Sequence, residues 1–268
     1  MGVTLPVRRL EPFGVEVLAD LSRPLAPSES HHLVQLLRDH GLILARGQAL
    51  SMERQRELCA LFGPILLRAG ENGIMSNEGG GPAESALSWH SDAAYTDHPF
   101  DVLALHALEV VDDASSTLFV DAREAVGRLS PEQHAALEGR EQEMISPHYT
   151  MIGERTCDRP DPEALKRGRY PAIRIDPRTG KSCLWVSELQ TACLIGMDWA
   201  ESRDLLHAVF DRLYAPEHVL EHRWRKGDIV IWDNVALQHA RGNLGAVGRR
   251  VLQRVIVGSE GVAPHIPG

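Results

Sequence analysis

Cysteine is scarce. The chain of 268 residues has four, Cys59, Cys157, Cys183 and Cys193. They form no Cys-x-x-Cys pair and no dense framework, which excludes a disulfide scaffold and points to free, buried thiols of a reducing compartment. Long apolar runs are absent too, so no segment is fit to cross a bilayer. The first residues, 1–6, lack the apolar stretch of a signal peptide, and the expected location is cytoplasmic. Positive charge is in deficit: 28 Lys and Arg stand against 37 Asp and Glu, a net charge of −9. Such a chain has no general field for nucleic acid or an anionic membrane surface. An acidic small molecule would have to be caught by local arginines. No internal repeat or low-complexity tract is present.

What remains is a chain long enough for one large β-rich domain. Strand patterns fall at 15–18, 42–45, 102–109, 117–120, 219–225, 228–232 and 249–257. A hairpin is expected from 172–176 and 183–186 around the turn Pro177-Arg178-Thr179-Gly180. Helices are expected at 28–40, capped by Ser28 or Ser30 and closed by Gly41, and at 52–62, capped by Ser51. Further helix starts lie at Asp121, at the capping box Ser130-Pro131-Glu132-Gln133, and at Asp198 before 199–214. The helices flank the strands instead of alternating with them. A sandwich or barrel is therefore expected, mainly β with flanking helices, as one domain over 1–268. The glycine-rich stretch 77–86 reads as a flexible loop and 149–170 as a long loop insertion.

One stretch carries chemistry: Ser88-Trp89-His90-Ser91-Asp92. Residues i and i+2 of a strand share a face, so His90 and Asp92 can hold adjacent positions of a metal. His239 is the third candidate. Two histidines and one carboxylate on one face leave three positions open, the arrangement of non-haem Fe(II) oxygenases. Zinc would accept the same donors, but a zinc hydrolase lacks a convincing general base here. Thr117 lies on a downstream strand. Arg250, Leu252 and Arg254 alternate along the last one, so both arginines can face the same way.

The order His90-x-Asp92, Thr117, Trp232-Asp233-Asn234, His239, then Arg250-x-x-x-Arg254 resembles the taurine dioxygenase (TauD/TfdA-like) family over about residues 15–257. These are Fe(II)/2-oxoglutarate-dependent dioxygenases and include the phenoxyacetate-herbicide enzymes. The resemblance implies a double-stranded β-helix, a cupin-like jelly roll whose mouth holds Fe(II) on His90, Asp92 and His239. It implies 2-oxoglutarate and O2 as cosubstrates, with Arg250 and Thr117 on the distal carboxylate and release of succinate and CO2. The substrate would be a small, acidic organic molecule, hydroxylated at a C–H bond. Desaturation, cyclisation or cleavage in a natural-product pathway is the alternative outcome of the same chemistry. Arg254 is the candidate for the substrate acid, with Arg68 as a second anion contact and Tyr95 lining the pocket. Trp232 would pack beside the metal, Asn234 would fix backbone near His239, and 77–86 would cover the substrate. Asp92, where related halogenases carry a small residue, favours oxygenation. Ala86 replaces an asparagine that faces the substrate in taurine dioxygenase, and Arg68 falls near a missing histidine, so taurine itself does not fit. Outside this class, a non-catalytic cupin-like binding protein is the rival. A homo-oligomer is compatible with the sequence.

Overall fold

The structure, a computed structural model, describes residues 4–67, 73–78, 85–147, 154–162, 164–242 and 244–258. Strands are numbered along the chain. The largest sheet is ordered β1 (Val7–Arg9), β2 (Val15–Val17), β3 (Leu42–Ala45), β14 (Ile229–Asp233), β6 (Val102–Glu109), β16 (Val251–Val257) and β4 (Ile74–Ser76). Its pairings are antiparallel except β2 with β3. A second sheet is ordered β13 (Leu220–Arg223), β7 (Ser116–Asp121), β15 (Leu237–Arg241) and β5 (Leu87–His90). One buried cluster takes Leu44, Leu105, Val230 and Leu252 from the first sheet and Phe119 and Leu237 from the second. The two sheets therefore pack face to face and share one apolar interior. This is the jelly roll.

Period-two alternation sets which side chain goes where. In β3, Leu42 and Leu44 enter the interior between the sheets, whereas Ile43 and Ala45 turn outward. Outward is not solvent: helices α1 (Pro27–His40) and α2 (Met52–Cys59) cover that side with Leu33, Leu37 and Leu58. All four β3 residues are thus buried, which explains its unbroken apolar run. The second sheet is covered by α3 (Ala122–Arg128), α4 (Pro131–Leu137) and α5 (Trp199–Leu213). From α5, Leu206, Val209 and Phe210 meet Val120 and Ala240 of the sheet.

Two smaller sheets complete the fold: β12 (Thr191–Leu194), β8 (Glu141–Pro147) and β9 (Ala164–Pro171) in that order, and the hairpin β10 (Ile173–Ile175) with β11 (Ser182–Leu184). The expected loop 149–170 is corrected here at its end, where β9 pairs with β8 along its length. The strand was hidden because its side chains are charged or small, Lys166, Arg167, Gly168 and Arg169, and it is stabilised by pairing and by Arg167–Glu143 at 2.6 Å. Of the remainder, 149–153 and 163 lie outside the described residues. So do 79–84 of the expected lid and Arg68. A second correction concerns α1. Its cap is Ala26, one residue before Pro27, and not Ser28 or Ser30. The Glu29 carboxylate accepts from the Ala26 N–H at 2.9 Å and from Arg23 at 2.6 Å, which replaces a hydroxyl cap. Gly41 closes the helix at φ 73°, its N–H reaching Leu37 O at 2.8 Å.

Candidate active site

The second sheet builds the site by register alone. His239 on β15 lies opposite His90 on β5 and opposite Phe119 on β7. Thr117 stands one same-face step from Phe119, and His222 of β13 lies opposite Thr117. Directly paired residues share a face, so His222, Thr117, Phe119, His239 and His90 all project into the mouth of the roll. Asp92 is not on the strand: β5 ends at His90, and Asp92 sits in the turn beyond. That turn is held open by force. Ala93 has φ 58°, a left-handed conformation that costs a residue with a Cβ about 1–2 kcal/mol. Asn234 offsets it from the β14–β15 turn. Its amide accepts from the Asp92 N–H at 2.9 Å and donates to Asp92 O at 3.0 Å and Phe100 O at 2.9 Å. The sequence expects Asn234 to fix backbone near His239; the backbone it holds is that of Asp92, whose carboxylate lies 3.7 Å from His239 Nε2.

His90 Nε2 is 3.1 Å and His239 Nε2 is 3.7 Å from Asp92 Oδ1. His90 Nδ1 lies 2.8 Å from Ser88 O, an acceptor, so this nitrogen carries the proton. Nε2 is then the ring atom turned toward the Asp92 carboxylate. Two imidazole nitrogens gathered at one carboxylate make a donor set that fits a divalent metal. His239 agrees: burial, with His90 beside it, pushes its pKa down to about 3 despite Asp92, so its ring is neutral. For Asp92, burial acts to raise the pKa. The neighbouring imidazoles and the charge of Arg254 outweigh it and hold the carboxylate ionised. Trp232, edge-on to His239 with ring centres 5.2 Å apart, and Phe119 wall the imidazole in.

Around Trp224 lies a second group of residues that could clamp an acid. Arg250, just before β16, is buried, and burial pulls its guanidinium down to about 10, with Arg241 adding to the effect. Its Nε has no partner among the described residues. Its Cζ lies 5.8 Å from the ring centre of Trp224, whose indole N–H donates to Thr117 Oγ1 at 3.0 Å. Arg250 and Thr117 thus meet over one tryptophan. A buried cation beside a hydroxyl fits a carboxylate. Asn77 fixes the approach to this clamp. Its side chain accepts from the Arg250 N–H at 2.8 Å and donates to Gly248 O at 2.8 Å.

Arg254 is half-buried, and its charge is felt at Asp92. Tyr95 packs instead with Ala94, Met144, Trp185, Val235 and Tyr170, and its carbonyl accepts from Tyr170 Oη at 3.0 Å. Trp224, Asn77 and Arg241 were missed in the sequence. For Trp224 a signal existed: Leu220, His222 and Trp224 alternate, and His222 faces the site. Asn77 and Arg241 give none, because their contacts are made to residues far along the chain. A second donor group, Cys157, Asp158 and His207, has an economical explanation. Asp158 and His207 satisfy each other at 2.6 Å, and burial pushes the Cys157 thiol up to about 12. A cavity of about 660 Å³, lined by Arg9, Phe13, Asp39, Arg123 and Lys181 among others, contains none of the site residues.

Two imidazoles and a carboxylate at the mouth of a jelly roll define the class, the mononuclear non-haem oxygenases. Within it the chain belongs to the family described as taurine catabolism dioxygenase TauD, TfdA family, whose profile matches residues 6–256. It is 31% identical over 183 residues to pentalenolactone F synthase of Streptomyces arenae, a stretch covering 63% of this chain and 61% of that one. It is 26% identical over 281 residues to the alpha-ketoglutarate-dependent 2,4-dichlorophenoxyacetate dioxygenase of Cupriavidus pinatubonensis, covering 94% and 96%. Among solved structures, a taurine dioxygenase from Burkholderia xenovorans superposes with a TM-score of 0.79 at 22% identity, covering 95% of this chain and 90% of that one. AAD-2 in complex with Mn(II) and N-oxalylglycine does so at 0.79 and 23%, covering 98% and 100%. These structures share the fold. The curated relatives are alpha-ketoglutarate-dependent dioxygenases, and the chain is an enzyme of that kind, with no helix among the described residues long and apolar enough to span a membrane.

Proposed function

We propose that this protein is an Fe(II)/2-oxoglutarate-dependent dioxygenase that hydroxylates a C–H bond of a small organic acid. The observation that carries it is the convergence of two imidazole nitrogens and a carboxylate oxygen at the mouth of the roll, with a buried arginine whose Nε has no partner among the described residues. His90, Asp92 and His239 would hold the iron. Iron there, with O2 and the keto acid, supplies the oxidising power that turns C–H into C–OH while 2-oxoglutarate leaves as succinate and CO2. The residues do the rest. Arg250 grips the distal carboxylate with two parallel N–H donors, and Thr117 donates a third hydrogen bond. Phe119 and Trp232 keep water from the His239 side. Asn234 fixes the Asp92 backbone, so the carboxylate does not swing. Arg254, near enough to Asp92 to lower its pKa, is placed to hold the substrate's acid group. Acidic substrates fit the names of relatives that act on 2,4-dichlorophenoxyacetate and (S)-phenoxypropionate. The similarity to pentalenolactone F synthase keeps a natural-product substrate, with desaturation or cyclisation, as the second reading.

The test is spectroscopic. Fe(II) plus 2-oxoglutarate under anaerobic conditions should give a weak visible charge-transfer band, the mark of a keto acid chelating iron. His90→Ala, Asp92→Ala or His239→Ala should remove it. A wild-type band in any one variant would strike that residue from the site, and no band in the wild type would end the proposal.

A further inference from the structure

We propose that Trp224 is a positioning residue for the keto-acid cosubstrate, acting through both Thr117 and Arg250. The inference rests on the reading that these two residues hold the distal carboxylate of 2-oxoglutarate. Trp224 follows β13 and is fully buried. An indole N–H can only donate. At 3.0 Å it therefore occupies a lone pair of Thr117 Oγ1. That leaves the Thr117 hydrogen as the group to be placed, and no described residue accepts it. A freely rotating hydroxyl could present either a lone pair or a hydrogen to the pocket. With one lone pair occupied from behind, the hydrogen is confined to the two remaining positions, and an ionised carboxylate, an acceptor only, draws it to the pocket side.

The same ring serves Arg250. The guanidinium carbon lies 5.8 Å from its centre, within the range where a cation is drawn to an aromatic face. No carboxylate of the described residues pairs with Arg250, so the ring is the surface against which it is seated. The ring is itself held. His222 meets it at right angles, 89°, with centres 4.5 Å apart, and the Trp224 backbone N–H reaches Ser115 O at 3.0 Å. A phenylalanine would fill most of this space and supply the aromatic face. It would not supply the N–H.

Trp224→Phe is accordingly the informative variant. The dissociation constant of 2-oxoglutarate, read anaerobically from the charge-transfer band of the Fe(II) protein, should rise by about threefold to tenfold, the effect of one hydrogen bond between neutral groups. The maximum rate at saturating 2-oxoglutarate should stay within about twofold of wild type, since the contact is made equally before and during reaction. Pyruvate, a keto acid without the distal carboxylate, should bind both proteins alike. Thr117→Val should weaken 2-oxoglutarate similarly, and Trp224→Phe added to it should change little more, because the indole acts through that hydroxyl. An unchanged 2-oxoglutarate constant in Trp224→Phe overturns the proposal. So does an equal loss for pyruvate, or losses that multiply in the double variant, since either marks general damage. Should Trp224→Phe not fold, β-(3-benzothienyl)alanine at position 224 keeps the ring shape and replaces N–H by sulfur, with the same outcomes expected. Absence of the band in the wild type would overturn the reading on which this rests, a result distinct from a wild-type band that Trp224→Phe leaves untouched.

Discussion

At the scale of single residues, Arg250 and Arg254 have different surroundings and are expected to do different work. Arg250 is buried, pulled down to about 10, and has an Nε without a partner among the described residues. Arg254 is half-buried and acts on Asp92. Arg250→Lys keeps a charge but loses the planar fork. The KM for 2-oxoglutarate should rise by about tenfold or more, the equivalent of about 1.4 kcal/mol. Arg254→Ala should leave substrate-free turnover of 2-oxoglutarate close to wild type while substrate-dependent succinate formation falls steeply, since truncating one side of a buried charge pair costs about 2–5 kcal/mol. Paired assays of succinate with and without an aryloxyacetic acid check both. If both rates fall together in Arg254→Ala, Arg254 serves the cosubstrate and the case for an acidic substrate is lost.

At the scale of elements, the site depends on how loops are tied to strands. Arg250 lies outside β16, at a shift of register between Val251 and Leu252. Its position is therefore not fixed by the ladder alone. Asn77 fixes it, by a bond from the Arg250 N–H at 2.8 Å and bonds to Gly248 O at 2.8 Å and Leu244 O at 3.3 Å. Asn77→Ala leaves these buried groups unsatisfied, which costs about 1–3 kcal/mol. We expect a lower melting temperature together with a raised KM for 2-oxoglutarate and unaltered Fe(II) binding. A fall in stability with an unchanged KM would show that Arg250 is placed by something else. The turn carrying Asp92 follows the same logic, with the Asn234 amide imposing the geometry that Ala93 alone would avoid.

For the whole molecule, the interior is rich in histidines kept neutral. Burial lowers the pKa of His239, to about 3, and also those of His106 and His222. In the unfolded chain these imidazoles titrate near 6.5. As pH falls below that value the unfolded state takes up protons that the folded state refuses, so folding stability drops. At pH 7.5 none of this is felt. The metal-free protein should therefore melt at a clearly lower temperature at pH 5 than at pH 7.5, as followed by circular dichroism. His106→Gln and His222→Gln together should reduce that dependence, the part due to His239 remaining. A metal-free melting temperature that is level from pH 7.5 to 5 would contradict the direction of these shifts.

The sequence by itself determined what depends on local pattern. Short apolar, β-branched runs marked β3, β6, β7, β14 and β16, caps and glycines marked the helices, and the His90-x-Asp92 pair with His239 is readable because a ligand type at fixed spacing is a one-dimensional signal. The family resemblance added the pairing of Thr117 with Arg250. Tertiary structure decided the rest. β9 is a strand only because β8 offers it a ladder, and its charged residues carry no apolar alternation of their own. Asn234 and Asn77 each work through three side-chain hydrogen bonds to backbone more than 100 residues away, and nothing near them in the chain records those partners. Trp224 looks like any buried aromatic until the register of β13 on β7 brings its N–H to Thr117. Covalent order fixes spacing along a strand, whereas the direction of a hydrogen bond across strands exists only once the sheets have closed.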